Sequence, residues 1–273
     1  TGGNEGETMK GILYGVGTGP GDPELLTLKA LKIIRESDII VIPADDPKDC
    51  ASYQTVERAF PQIREKRLIC LPFPMVRDRE KRRIQQEKNA EIIAKILSEG
   101  KQAAFLTIGD PSIYSTYGYI HNILRRRGFD ARIVSGIPSF CAAAASLGEI
   151  LCEDRETLEI LPSFPLSEKE PTRGGRDISG ILSGTGTKVL MKPSGDYTAV
   201  TEALRRSRRT ASMAVNCGRD EEQTFSRLED FPEKAEYFSV IISRKESEPF
   251  AAEAPVFDNS DSVTPGKEVI PYE

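Results

Sequence analysis

The sequence predicts an α/β protein built from two α/β domains, and three observations carry that expectation. Short apolar runs alternate with longer amphipathic stretches, as β-α units around a mainly parallel sheet require. The first apolar run ends in a glycine-dense turn that opens into a helix, and a second series of such runs follows a break near the middle of the chain. At 273 residues the chain is long enough for one large or two medium domains.

The first strand is expected at Ile12 to Val16, followed by Gly15-Val16-Gly17-Thr18-Gly19-Pro20-Gly21-Asp22-Pro23-Glu24. Glycines there let backbone N–H groups approach a bound molecule, and Asp22 with Pro23 reads as an N-cap and first-turn pair starting a helix from Glu24 to Glu36. A loop at the carboxyl end of a buried strand is where open α/β sheets place small-molecule ligands. Further strands are expected at Ile39 to Ile42, Leu68 to Leu71, Ala103 to Ile108 and Ala131 to Val134. Between them, Ser52 to Phe60, Arg77 to Ser98 and Ile113 to Arg127 read as helices, with Gly100 and Gly128 stopping two of them.

The join falls between Gly136 and Asp154, where Ser135-Gly136-Ile137-Pro138 leads into a helix with Ser139 as its N-cap. Strands at Leu158 to Leu161, Lys188 to Met191, Met213 to Val215 and Tyr237 to Ser243, with a helix from Tyr197 to Arg206, make the second domain. The expected organisation is a flexible leader at 1–8, an N-terminal domain at 9–136, a C-terminal domain at 137–246 and a mobile tail at 247–273.

Several chemistries are disfavoured. The first loop overlays only part of a dinucleotide fingerprint: Pro20 has no N–H for a phosphate, Asp22 sets a carboxylate where a pyrophosphate would approach, and no Lys-Ser/Thr follows. Taken alone, such a loop is also a tight strand-to-helix turn. A formal charge of −5 gives no electrostatic footprint for nucleic acid. No run of ~18 apolar residues spans a membrane and no signal-peptide pattern is present, so the expected location is cytoplasmic.

Five cysteines without a C-x-x-C pair indicate neither a disulfide framework nor a zinc site. They read as reduced, small buried hydrophobes, with Cys70, Cys141 and Cys217 in or beside apolar runs. The single histidine, His121, excludes a histidine-rich metal site and reads as a structural or surface residue, so no metal is expected. The run Arg77 to Arg83 is either a solvated face of mixed-sign pairs or a surface for an anion carrying several carboxylates.

Taken together the motifs resemble the tetrapyrrole (corrin and porphyrin) methyltransferases. Leu13 to Ala30, with Gly15-Val16-Gly17-Thr18-Gly19-Pro20-Gly21-Asp22-Pro23-Glu24-Leu25-Leu26-Thr27, is similar to the first motif of that family. Gly109-Asp110-Pro111-Ser112-Ile113-Tyr114-Ser115-Thr116 is similar to the second, and Ser135-Gly136-Ile137-Pro138-Ser139-Phe140 to the third. Val189 to Lys192, Val215 to Gly218 and Tyr237 to Ile242 follow in family order, so the resemblance runs from Met9 to about Glu246. Within the family, Tyr114-Ser115-Thr116 and Leu190-Met191-Lys192 look most like the C20-methyltransferases of precorrin-2 or cobalt-factor II. The uroporphyrinogen-III enzymes resemble the chain less, having a second glycine where Ile108 stands. Pro193-Ser194-Gly195-Asp196 departs from the family, in which Val-Gly follows the lysine.

The resemblance implies two domains of the tetrapyrrole methylase type with the ligand cleft between them. It implies S-adenosylmethionine as methyl donor, a small-molecule tetrapyrrole as acceptor, and a homodimer. It assigns donor-pocket roles to Pro20, Ile108, Gly109, Asp110, Ile113, Pro138, Ser139, Met191, Lys192, Pro193 and Gly218. The chemistry needs removal of one proton after methyl transfer; Asp110 is the candidate base, while Tyr114 and Tyr117, both expected on the following helix, orient the flat macrocycle or accept a hydrogen bond. Two alternatives stay open: methylation at another ring position, and a sensor that binds S-adenosylmethionine or a nucleotide without transfer.

Overall fold

Two five-stranded sheets organise the chain, and the computed structural model describes residues 10–74, 78–162, 177–195 and 197–245. The expected leader at 1–8 and tail at 247–273 lie outside the described residues.

The first sheet is built from β1 (Ile12–Gly17), β2 (Ile39–Ile42), β3 (Arg67–Cys70), β4 (Ala103–Thr107) and β5 (Asp130–Val134), in the order β3-β2-β4-β1-β5. Every pairing in it is parallel. The sequence dictates this arrangement: β2 and β4 are uninterrupted apolar or small-residue runs in which every residue is buried, as befits central strands covered on both faces. One face packs under α3 (Arg79–Ser98) and α4 (Tyr117–Arg126), around Phe105, Ile93, Leu97 and Tyr117. The other packs under α1 (Leu28–Glu36) and α2 (Ala51–Ala59), around Ile34, Ile40, Ile42 and Val56.

Helix α5 (Ser139–Leu147) leaves the end of β5 yet packs Phe140, Ala142 and Ala143 on the second sheet, against Val189, Ala214 and Val240. That sheet comprises β6 (Leu158–Pro162), β7 (Thr187–Met191), β8 (Arg209–Val215), β9 (Gln223–Phe225) and β10 (Ser239–Lys245), in the order β6-β7-β10-β8-β9. Its opposite face is covered by α6 (Ile178–Ser183) and α7 (Tyr197–Ser207).

The second sheet departs from the expectation of mainly parallel pairing: only β6 and β7 run parallel, and β10 lies antiparallel between β7 and β8. Helix boundaries shift as well. The helix expected from Glu24 begins at Leu28, capped by the Thr27 hydroxyl accepting from the Ala30 amide at 3.1 Å, because Asp22 caps a separate 3-10 turn at Pro23–Leu25. The helix expected from Ile113 begins at Tyr117, since Tyr114 takes a φ of 47° that a helix cannot contain. Pro138 rather than Ser139 occupies the N-cap of α5, and the Ser139 side chain makes no capping bond. Cys141 and Cys152 are exposed, against the expectation of buried cysteines, while Cys50 and Cys217 are buried. The strand expected at Met213 extends back to Arg209, the strand expected at Tyr237 begins at Ser239, and α6 and β9 add to the elements expected.

Candidate active-site cleft

Three loops meet at the carboxyl ends of the adjacent strands β4, β1 and β5, and their backbones are in direct contact. Gly19 and Gly109 form a two-residue bridge in which the Gly109 amide donates to the Gly19 carbonyl at 2.7 Å. Gly109 sits at φ 70°, the left-handed region open to glycine. At Gly17 an added Cβ would fall 2.6 Å from both the Gly109 carbonyl oxygen and the Gly136 nitrogen, so no larger residue fits between the three loops.

Asp110 ties the second loop to the third. One carboxylate oxygen accepts from the Ser112 amide at 2.8 Å and the Ser112 hydroxyl at 2.5 Å, and the other accepts from the Gly136 amide at 3.0 Å. Both oxygens are thus committed within the protein, and the residue is only 7% exposed.

Between these loops and the second sheet lies a cavity of about 350 Å³, within the range typical of small-molecule sites. The structure places Pro20, Ile108, Gly109, Asp110, Ile113, Tyr114, Pro138, Ser139, Met191 and Lys192 on its wall. Pro193 is buried in a 3-10 turn behind Lys192 and does not line it. Gly218 lies behind the first loop, where an added Cβ would come 2.7 Å from the Asp22 nitrogen.

The two tyrosines separate. Tyr117 is fully buried, its ring against Gly15 and its hydroxyl donating to the Arg132 carbonyl at 2.6 Å and lying 3.1 Å from His121 Nδ1. Burial raises its pKa well above the usual phenol range. It does not line the cavity, so the expected orientation of a macrocycle by Tyr117 gives way to a core role. Tyr114, off the helix, lines the cavity and donates its hydroxyl to the Ile160 carbonyl at 2.9 Å, joining the loop of the first sheet to a strand of the second.

Other wall residues had no site role assigned from sequence: Pro43, Asp49, Cys50 and Ser52 after β2 and Phe73 after β3 lie outside every motif, whereas Cys217, Tyr237, Phe238 and Val240 fall within the segments found in family order. The carboxyl end of β2 carries no glycine signal, although its position beside β4 puts it at the same sheet edge. Of the charged run, Arg77 lies outside the described residues; the rest carries mixed-sign pairs, with Arg83 bonded to Glu80 at 2.7 Å, and Asp78 to Arg83 stand away from the cavity wall. Burial lowers the pKa of His121, and among the described residues no group of three or more His, Cys, Asp or Glu side chains comes together as a metal site. No described helix is long and apolar enough to cross a membrane.

The family model of the tetrapyrrole (corrin/porphyrin) methylases matches residues 12–232, which spans both sheets through β9 and the loops of the cleft. The chain belongs to this family. A probable cobalt-precorrin-2 C(20)-methyltransferase of Methanocaldococcus jannaschii is 31% identical to this methylase over 85% of its chain and 96% of the relative. A cobalt-precorrin-2 C(20)-methyltransferase of Salmonella typhimurium is 30% identical over 88% of the chain and 99% of the relative. Among solved structures, a cobalt precorrin-4 methyltransferase superposes with a TM-score of 0.69 at 19% identity, covering 89% of this chain and 98% of that one. A uroporphyrin-III C-methyltransferase from Thermus thermophilus complexed with S-adenyl homocysteine superposes with a TM-score of 0.59 at 21% identity, covering 86% of this chain and 97% of that one. These two likenesses establish the fold, and family membership makes the chain a methyltransferase.

Proposed function

We propose that this methylase transfers a methyl group from S-adenosylmethionine to C20 of precorrin-2 or its cobalt counterpart, cobalt-factor II, during corrin-ring synthesis. The observation that carries the reading is the cleft itself: a cavity walled on one side by three interlocked glycine loops and on the other by Met191, Lys192 and Tyr237 to Val240. Relatives named for C20 methylation along nearly their whole length support the acceptor.

The residues fit the donor. Gly109 presents bare backbone on the wall, and an added Cβ there has only the Pro138 Cα and the Ser139 nitrogen at 4.0 Å, so the backbone is open to close approach. Phe73, Ile113, Met191 and Val240 are apolar residues of the wall, and Ser52, Ser115 and Thr116 are polar ones. When bound, S-adenosylmethionine would supply an electrophilic sulfonium methyl; the C–S bond breaks as a C–C bond forms to the acceptor, S-adenosylhomocysteine is the leaving group, and the C20 proton passes to solvent as the product departs. The protein's part is to hold donor and acceptor in line and keep water out, and such alignment is worth ~7–11 kcal/mol of the barrier. Asp110, with both oxygens engaged, fixes the donor loops rather than collecting the proton. The same reading makes the enzyme a cytoplasmic homodimer acting on a free tetrapyrrole, without nucleic acid or membrane.

The test is a single-turnover incubation with methyl-labelled S-adenosylmethionine and each acceptor in turn, followed by mass and NMR analysis of the tetrapyrrole. Label at C20 of one acceptor is the expected result and selects between the metal-free and cobalt forms. Label at another carbon, or donor binding without transfer to either acceptor, would overturn the C20 assignment.

A further inference from the structure

Lys192 closes β7 in a conformation that a side-chain-bearing residue adopts at a cost. Its φ is 55°, and its amide donates to the Ser239 carbonyl at 3.0 Å, which pins the turn against the start of β10. Strained backbone of this kind gathers at functional sites, where the surrounding structure holds it. The turn delivers the side chain to the cavity wall, where Nζ stands 5.0 Å from the centre of the Tyr237 ring.

Lys192 is the only lysine or arginine among the described wall residues. Among the described residues it also takes part in no ion pair. The wall carboxylates do not serve it: Asp110 is occupied by Ser112 and Gly136, and Asp49 is not paired with it. A half-buried ammonium on an aromatic face, held by a strained turn and facing a cavity, is a preorganised anion receptor. We propose that Lys192 binds a carboxylate of the ligand in this cleft, a role that rests on the methyl-transfer reading. Two carboxylates qualify: the α-carboxylate of the donor's amino-acid portion, and an acetate or propionate arm of the acceptor.

Lys192→Met keeps the aliphatic stem and removes the charge, and it separates the two. Calorimetry with the full-length variant would use S-adenosylhomocysteine, which carries the α-carboxylate, and 5′-methylthioadenosine, which lacks it. If Lys192 holds the donor, the variant loses about tenfold or more in affinity for S-adenosylhomocysteine and binds 5′-methylthioadenosine as wild type does. If it holds the acceptor, both donor-site affinities stay unchanged while the KM for the tetrapyrrole rises by about the same factor. In either case Lys192→Arg restores most of the loss. Unchanged affinity and unchanged KM would overturn the proposal, as would equal weakening of both donor-site probes, which reports a distorted cavity rather than a lost charge pair. Wild-type protein that binds neither probe and methylates neither acceptor would instead bring down the methyl-transfer reading, and this role with it.

Discussion

Asp110 shows what hydrogen-bond partners add to residue type. A lone aspartate after a buried strand, beside a ligand loop, is a natural candidate for a base, yet its three hydrogen bonds make it the clamp between two glycine loops. A base that is not a clamp, changed to Asn, would lose turnover and keep donor affinity. The clamp predicts otherwise: an amide nitrogen must face either the Gly136 amide or the Ser112 donors, so Asp110→Asn should weaken S-adenosylhomocysteine binding along with turnover, as calorimetry and initial rates would show. Tyr117 makes the complementary case. Its hydroxyl serves the Arg132 carbonyl inside the core, so Tyr117→Phe should cost about 1–2 kcal/mol of stability, read as a lower urea midpoint at unchanged slope, with kcat per folded molecule unaltered.

At the scale of elements, strand positions were legible and the strand directions of the second sheet were not. Each strand of the first sheet contains a short apolar or small-residue stretch bounded by turn or charged residues, so Ile39–Ile42 falls where the sequence puts it and the others within a residue or so. Direction was not legible in the second sheet, because β7 is buried along its whole length just as β4 is, although β7 pairs antiparallel with β10 and β4 pairs only in parallel. Strand β9 has three residues and no buried one, which leaves no periodic signal. The glycine loops of the candidate site were readable from composition, and Tyr237 to Val240 from their place in a family segment, whereas the wall after β2 depends on which strands become neighbours, a property of the sheet order rather than of any local motif. Arg209 illustrates the same dependence on tertiary context. Only 5% exposed, it donates to the carbonyls of Leu182, Gly184, Gly186 and Ser243, binding the end of α6 and the turn before β7 to the central strands. Arg209→Met would strand these acceptors and should cost about 3 kcal/mol or more, measurable as a fall in the denaturation midpoint.

At the scale of the molecule, the cleft is where the two sheets become one system. The protein links them there through covalent continuity at α5, the packing of α5 on the second sheet, and the Tyr114 hydroxyl on the Ile160 carbonyl. A donor seated in the cavity would touch the glycine loops of one sheet and the β7 and β10 ends of the other, so its binding free energy adds to the stability of the pair rather than of either half. At a concentration one hundred times its Kd, S-adenosylhomocysteine contributes about 2.7 kcal/mol to the bound fold, which for a chain of this size raises Tm by roughly 5–10 °C. Because the ligand bridges both sheets, the shift should move a single cooperative transition, followed by calorimetric scanning. Splitting into one shifted and one unshifted transition would mean that the donor contacts only one sheet, and the shifted transition would tell which.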